Sequence, residues 1–132
     1  MTVKDRAIQV LEAALGEKGV AHSKRVAAVF TGHLEIVALL HDVVEDSDVT
    51  VEEITVEFGE AVGAAVDALT RKPFPVETYA AYIKRLAQTP AAVKVKLADI
   101  HDHLYGELAA PKETLLARYK KAQKVLLAIE KA

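Results

Sequence analysis

The chain has 132 residues, 52% of them hydrophobic, with 17 basic and 19 acidic side chains and a formal charge of −2. That length suits one domain, expected over residues 1–132, with enough apolar material to bury a core. The charge gives no reason to expect nucleic-acid or membrane-surface binding, and the absence of cysteine removes disulfides and thiolate metal sites. No charged-then-apolar leader opens the sequence, and no apolar run approaches the roughly 18 residues of a membrane span, so a cytoplasmic protein is expected. In chain order, Ala7, Val10, Leu11 and Ala14 form a helical stripe within Val3 to Leu15, closed by Gly16. A second helix is expected from Ala21-His22 to Phe30, before Thr31-Gly32, and a third from Leu34 to about Val44. Thr50-Val-Glu-Glu53 matches a capping box and opens a fourth that stops at Phe58-Gly59. Glu60 to Thr70 is rich in alanine and valine, and Pro73 and Pro75 mark the loop after it. Further helices are expected from Val76 to Gln88 and, with Thr89 as cap and Pro90 at the first position, from there to Tyr105. After Gly106 and Pro111 a last amphipathic helix covers Glu113 to Lys131. No strand alternation competes, so the fold class is all-α, a compact bundle of about six to eight helices.

The unusual chemistry lies in residues 38–50, ALLHDVVEDSDVT. An apolar run ends in His41-Asp42, and Glu45-Asp46 follows. Consecutive residues on a helix are about 100° apart, so His41 and Asp42 reach a common point only from its two flanks. A metal ion is a target that such a pair can share. Read as one helix, Glu45 lies above His41 and Asp46 above Asp42, a second carboxylate layer on the same face. For the acids alone, a solvated helix end is the simpler reading. The histidine directly after Ala-Leu-Leu argues that the pair points inward.

Two further residues complete a ligand set. His22 lies near an expected helix start, and Asp99 follows the apolar VKVKLA in mid-helix. A lone aspartate there is costly to bury without a cation or a hydrogen-bond network. Two imidazoles and two carboxylates make a mixed N/O shell that suits Mn²⁺ or Fe²⁺ and also takes Zn²⁺, Co²⁺ or Ni²⁺.

His22, His41-Asp42 and Asp99 resemble the H…HD…D signature of the HD-domain metal-dependent phosphohydrolases. More narrowly, ALLHDVVEDSDVT, then FGEAVGAAVDALT at 58–70 and KLAD at 96–99, resemble the RelA/SpoT-type (p)ppGpp hydrolase branch over roughly residues 20 to 105. The resemblance implies a helical bundle with one divalent metal, usually Mn²⁺, held by His22, His41, Asp42 and Asp99. It implies that Glu45 and Asp46 position and deprotonate the attacking water or manage protons at the leaving group. The implied substrate is a small-molecule nucleotide, and the implied reaction removes pyrophosphate from the ribose 3′ position of guanosine tetra- or pentaphosphate.

The departures from the branch bear on substrate. The first histidine commonly sits in a basic stretch with a tyrosine and a His-Pro pair, whereas here it reads GEKGVAHSKR. Where the branch places an asparagine four residues after the last aspartate, this chain has His103, preceded by Asp102. Lys24, Lys96 and His103 are the candidate substrate contacts, with Arg25, Arg71, Lys72 and Arg118 as further phosphate contacts or solvated charges. Lys96 reads equally well as a partner for an acid. His33 and His101 are expected to be exposed. An apolar surplus on the last helix could serve a homodimer. A phosphohydrolase for another nucleotide or phosphoester, or a metal- and nucleotide-binding regulatory module without turnover, stays open as the alternative.

Overall fold

The computed structural model describes residues 1–105 and 113–131. Among these, eight helices and one short helical turn account for the secondary structure, and there is no strand. The all-α expectation holds. In order the elements are α1 (Val3–Ala14), α2 (Glu17–Ala27), α3 (His33–Leu40), the turn α4 (Val43–Asp46), α5 (Val51–Phe58), α6 (Glu60–Leu69), α7 (Tyr79–Leu86), α8 (Pro90–Tyr105) and α9 (Glu113–Lys131). The expected break at Gly106 and Pro111 lies outside the described residues.

The bundle is organised around α3, whose Ile36, Val37, Ala38, Leu39 and Leu40 are all buried. A helix that is apolar on every side has to be wrapped, and α1, α2, α6 and α8 pack around it. Leu11, Ile54, Leu86, Ile100 and Leu126 fill the remaining core from the surrounding helices. Each such side chain removed from water contributes about 1.5–3 kcal/mol. Because α3 ends inside this core, the residue after it, His41, is only 2% exposed.

Three boundaries differ from expectation. α2 starts at Glu17, with Gly16 as N-cap, so His22 sits inside the helix and not at its start. Gly16 suits the cap, whereas Gly19 is a poor helix former inside the first turn, and packing of the helix overrides that preference. α3 stops at Leu40, because the His41 N–H reaches back to the Ala38 carbonyl at 3.4 Å and Asp42 turns to φ −102°, ψ −4°. The expected single helix through Val44 is therefore two segments. α7 opens at Tyr79, where the Thr78 hydroxyl accepts the Ala81 N–H, and Val76 and Glu77 belong to the loop.

That loop is tied down by Glu77. Its carboxylate accepts the Lys72 N–H at 3.1 Å and the Arg85 guanidinium at 2.7 and 2.9 Å, while Arg85 also donates to the Thr70 carbonyl at 2.9 Å. The Arg85 bonds, reinforced by Lys72, hold the Glu77 carboxyl down at about 2. The clamp fixes the segment that carries Arg71.

α5 and α6 meet at a close approach, and Gly63 permits it. A Cβ at this position would lie 1.9 Å from Thr55 Oγ1 and 3.1 Å from the Thr55 Cα. Overpacking of this kind costs about 1–3 kcal/mol. Gly63→Ala is expected to lower the thermal midpoint accordingly, and Thr55→Ala in the same chain should recover part of the loss. An unchanged midpoint in calorimetry would contradict the close packing.

Candidate metal centre

Three helices that touch one another supply the site. α2 carries His22, the end of α3 carries His41 and Asp42, and α8 carries Asp99. One donor atom from each of the four lies within 4.8 Å of all the others. The individual separations are His22 Nε2 to Asp99 Oδ1 2.7 Å, His41 Nε2 to Asp42 Oδ2 3.2 Å, His41 Nε2 to Asp99 Oδ1 3.4 Å, and His22 Nε2 to Asp42 Oδ2 3.7 Å. Adjacent ligands of an octahedral ion with bonds of about 2.1 Å sit roughly 3 Å apart. The spacing fits a single ion.

The chemistry of the donors makes the same point. His41 Nδ1 lies 2.6 Å from the Ala38 carbonyl, an acceptor, so its proton belongs there and Nε2 presents a lone pair. That lone pair faces the carboxylate oxygens of Asp42 and Asp99. His22 repeats the pattern, with Nδ1 2.6 Å from Asp102 Oδ2 and Nε2 facing Asp99. Each ring thus has acceptors at both nitrogens. Either both rings carry a second proton, or a divalent cation supplies the same two positive charges between them and the carboxylates. Burial opposes charge on His41, but the Asp42 and Asp99 carboxylates overcome it and push the imidazole well up. Burial also opposes the Asp99 anion, and Lys96 with the surrounding imidazoles holds that carboxyl well below its usual range. The four side chains fit a divalent metal.

The other candidates fall in different places. Glu45 and Asp46 lie on the separate turn α4, not on a continuation of α3, so the expected second layer on one helix face is corrected to a turn beside the site. Both are exposed. Partial burial pushes both carboxyls up, with the negative charge of Asp42 adding to it. Glu45 Oε2 accepts the Arg71 N–H at 3.0 Å and lines a cleft of about 470 Å³ with Arg71, Lys72 and Phe74. Asp46 opens on another cleft, beside Arg6, Glu53 and Glu57.

His103 Nε2 is 3.2 Å from Asp99 Oδ1, and its ring stacks on Tyr119 at 4.9 Å between centroids. It borders the centre. Lys96 is 8% exposed and gives its ammonium to Asp99 Oδ2 at 2.8 Å, over the rings of Tyr79 and Tyr82. Its ammonium is thus paired with a buried anion, the acid-partner reading that the sequence also offered for Lys96. Lys24 is directed to Glu12 of α1 at 3.8 Å and makes no contact with the four among the described residues. His33 and His101 are exposed, as expected.

Sequence reading did not foresee the roles of three residues. Asp102 and Arg25 stand behind His22, joined by hydrogen bonds of 2.8 and 3.0 Å. The spacings were visible, since Asp102 is at i+3 from Asp99 and Arg25 at i+3 from His22, but their pairing across two helices was not. The third is Tyr79, flanked by the guanidiniums of Arg118 at 4.7 Å and Arg71 at 5.5 Å. Tyr79 Oη and Arg71 Nε are buried without a hydrogen-bond partner among the described residues.

No protein-family model matches the chain. It is 39% identical over 75 residues to a guanosine-3′,5′-bis(diphosphate) 3′-pyrophosphohydrolase of Aquifex aeolicus, covering 52% of this chain and 11% of that protein. It is 34% identical over 98 residues to the protein of the same name in Haemophilus influenzae, covering 64% of this chain and 14% of that one. The chain thus spans only a small part of these relatives. A solved structure of a metazoan ortholog of SpoT, described as hydrolysing ppGpp with a role in starvation responses, matches with a TM-score of 0.75 at 22% identity over 98% of this chain and 86% of that one. The resemblance read from the HD motif is thus met in sequence, and the fold is that of the SpoT ortholog.

Proposed function

We propose that this chain, a helical domain similar to the RelA/SpoT-type hydrolases, is a metal-dependent phosphohydrolase acting on a nucleotide. Removal of pyrophosphate from the 3′ position of guanosine tetra- or pentaphosphate is the leading reaction. The observation that carries this reading is the convergence of His22, His41, Asp42 and Asp99 on one point where three helices meet. The proposal takes residues 1–132 as one cytoplasmic domain, without nucleic-acid or membrane partners. The N/O donor set favours Mn²⁺ or Fe²⁺ over metals that prefer thiolate, with Mn²⁺ the leading ion.

When bound, such an ion lowers the pKa of a water it carries and polarises a phosphoryl oxygen. The protein's own groups do the rest. Asp46 and Glu45, with carboxyls raised by partial burial and by Asp42, are the proton acceptors beside the site. Arg71, held in place through the Glu77 clamp, and Arg118 across the Tyr79 ring offer donors for phosphate oxygens. Lys96 positions Asp99. Val125, Leu127 and Ile129 on α9 remain 39–43% exposed, which keeps a homodimer within the proposal.

His103 at the edge of the site, where the branch has an asparagine, favours a second reading in which another nucleotide or phosphoester is the substrate. A panel of (p)ppGpp, (d)NTPs, (d)NMPs and cyclic nucleotides offered to the Mn²⁺-loaded chain separates the two. Pyrophosphate from (p)ppGpp is expected. Turnover of a different member supports the second reading, and no product from any member overturns both.

A further inference from the structure

Behind the metal centre lies a second set of contacts that none of the expected roles uses. Arg25 forks onto Asp102, Nε to Oδ1 at 2.8 Å and Nη2 to Oδ2 at 3.0 Å. Two parallel bonds of this kind fix the plane of the carboxylate as well as its position. Asp102 Oδ2 then meets His22 Nδ1 at 2.6 Å, while the far nitrogen of the ring, Nε2, faces the four-residue cluster. The Asp102 and His22 side chains are each 12% exposed. With a guanidinium forked onto its two oxygens, Asp102 is held as the carboxylate. An anion therefore stands directly behind one candidate ligand.

The other imidazole is oriented by weaker means. His41 Nδ1 faces a backbone carbonyl, that of Ala38, which is neutral. A carboxylate draws the Nδ1 proton more strongly than a carbonyl does and makes the opposite nitrogen the better donor. The two rings are thus held in the same tautomer by partners of different strength.

We propose that Arg25 and Asp102 are positioning residues that lock His22 with its proton on Nδ1, turn Nε2 toward the cluster, and so set the affinity of the centre for a divalent cation. The inference rests on the reading of His22, His41, Asp42 and Asp99 as a metal site. It assigns Arg25, a candidate phosphate contact by sequence, to the support of a ligand. Asp102 likewise serves the metal and not the substrate.

The test uses the metal-free protein titrated with Zn²⁺ against a competing chelator, with the imidazole N–H signals followed by NMR, since Zn²⁺ is diamagnetic. Wild type is expected to take one ion per chain and to show a protected His22 Nδ1–H. Asp102→Ala should weaken binding by roughly 10–100-fold and lose that signal. Asp102→Asn keeps an acceptor and should recover the signal and part of the affinity. It also keeps the test alive if the alanine variant does not fold. Equal affinity in wild type and both variants, at one ion per chain, would overturn the relay and leave the metal site standing. Weakened binding with an unchanged His22 N–H signal would mark Asp102 as merely structural and also overturn it. No Zn²⁺ uptake by wild type would overturn the relay and the metal reading together.

Discussion

Asp46→Asn is expected to slow hydrolysis by ~10²–10⁴-fold, about 3–5 kcal/mol of barrier, with metal content and thermal midpoint unchanged. The amide keeps the shape and hydrogen-bonding capacity of the carboxylate but cannot accept a proton as it does. Asp46 is an exposed residue of the turn α4, outside the four donors that converge, so neither metal retention nor packing depends on it. Partial burial and the Asp42 charge raise its carboxyl, which brings its basicity closer to that of a useful general base. Nucleotide affinity should survive, because a negative charge near the phosphates is removed. Glu45→Gln is the matched comparison. Gln keeps an oxygen that accepts the Arg71 N–H, so this variant should lower kcat with KM little changed. Wild-type rates in both variants would reduce these acids to a charged helix end.

Asp99→Ala should carry the largest combined effect, on metal and on folding. Asp99 Oδ1 faces three imidazoles, and Oδ2 neutralises the buried ammonium of Lys96. Removing the carboxylate leaves Lys96 charged and unpaired in an apolar setting, a change that costs ~3–5 kcal/mol in comparable buried pairs. Metal binding should be lost with it. The double variant Asp99→Ala/Lys96→Met removes both charges and should regain much of the stability in denaturant titration while still failing to bind metal. If the single variant were as stable as wild type, the Lys96–Asp99 pair would not be the buried ion pair described here.

Much of this was legible from the chain because the signals were local. Thr50 and Glu53 announce a capping box, and the structure contains it. The apolar run before His41 implies that the histidine is buried, and it is. Asp99 in mid-helix after VKVKLA implies a compensating partner, and Lys96 from the same helix supplies one. What failed depended on tertiary contact. The chain turns at His41-Asp42 because the Ala38 carbonyl captures both the backbone and the side chain of His41, which no propensity foretells. Gly16 and Gly19 hid the first turns of α2. Lys96 resembles a surface lysine in sequence, yet burial of α8 against the core turns it inward. Arg25 and Asp102 are 77 residues apart, so their pairing could only be seen once α2 and α8 were packed together.

The most direct test of the central claim is a titration of metal-free protein with Mn²⁺ while pyrophosphate release from guanosine tetraphosphate is followed. The account predicts a rate that is negligible without the ion, rises in proportion to bound Mn²⁺ and levels off at one ion per chain, with no rise in Asp42→Ala. Pyrophosphate release that is independent of added metal, or none from a chain that has bound its ion, would contradict it.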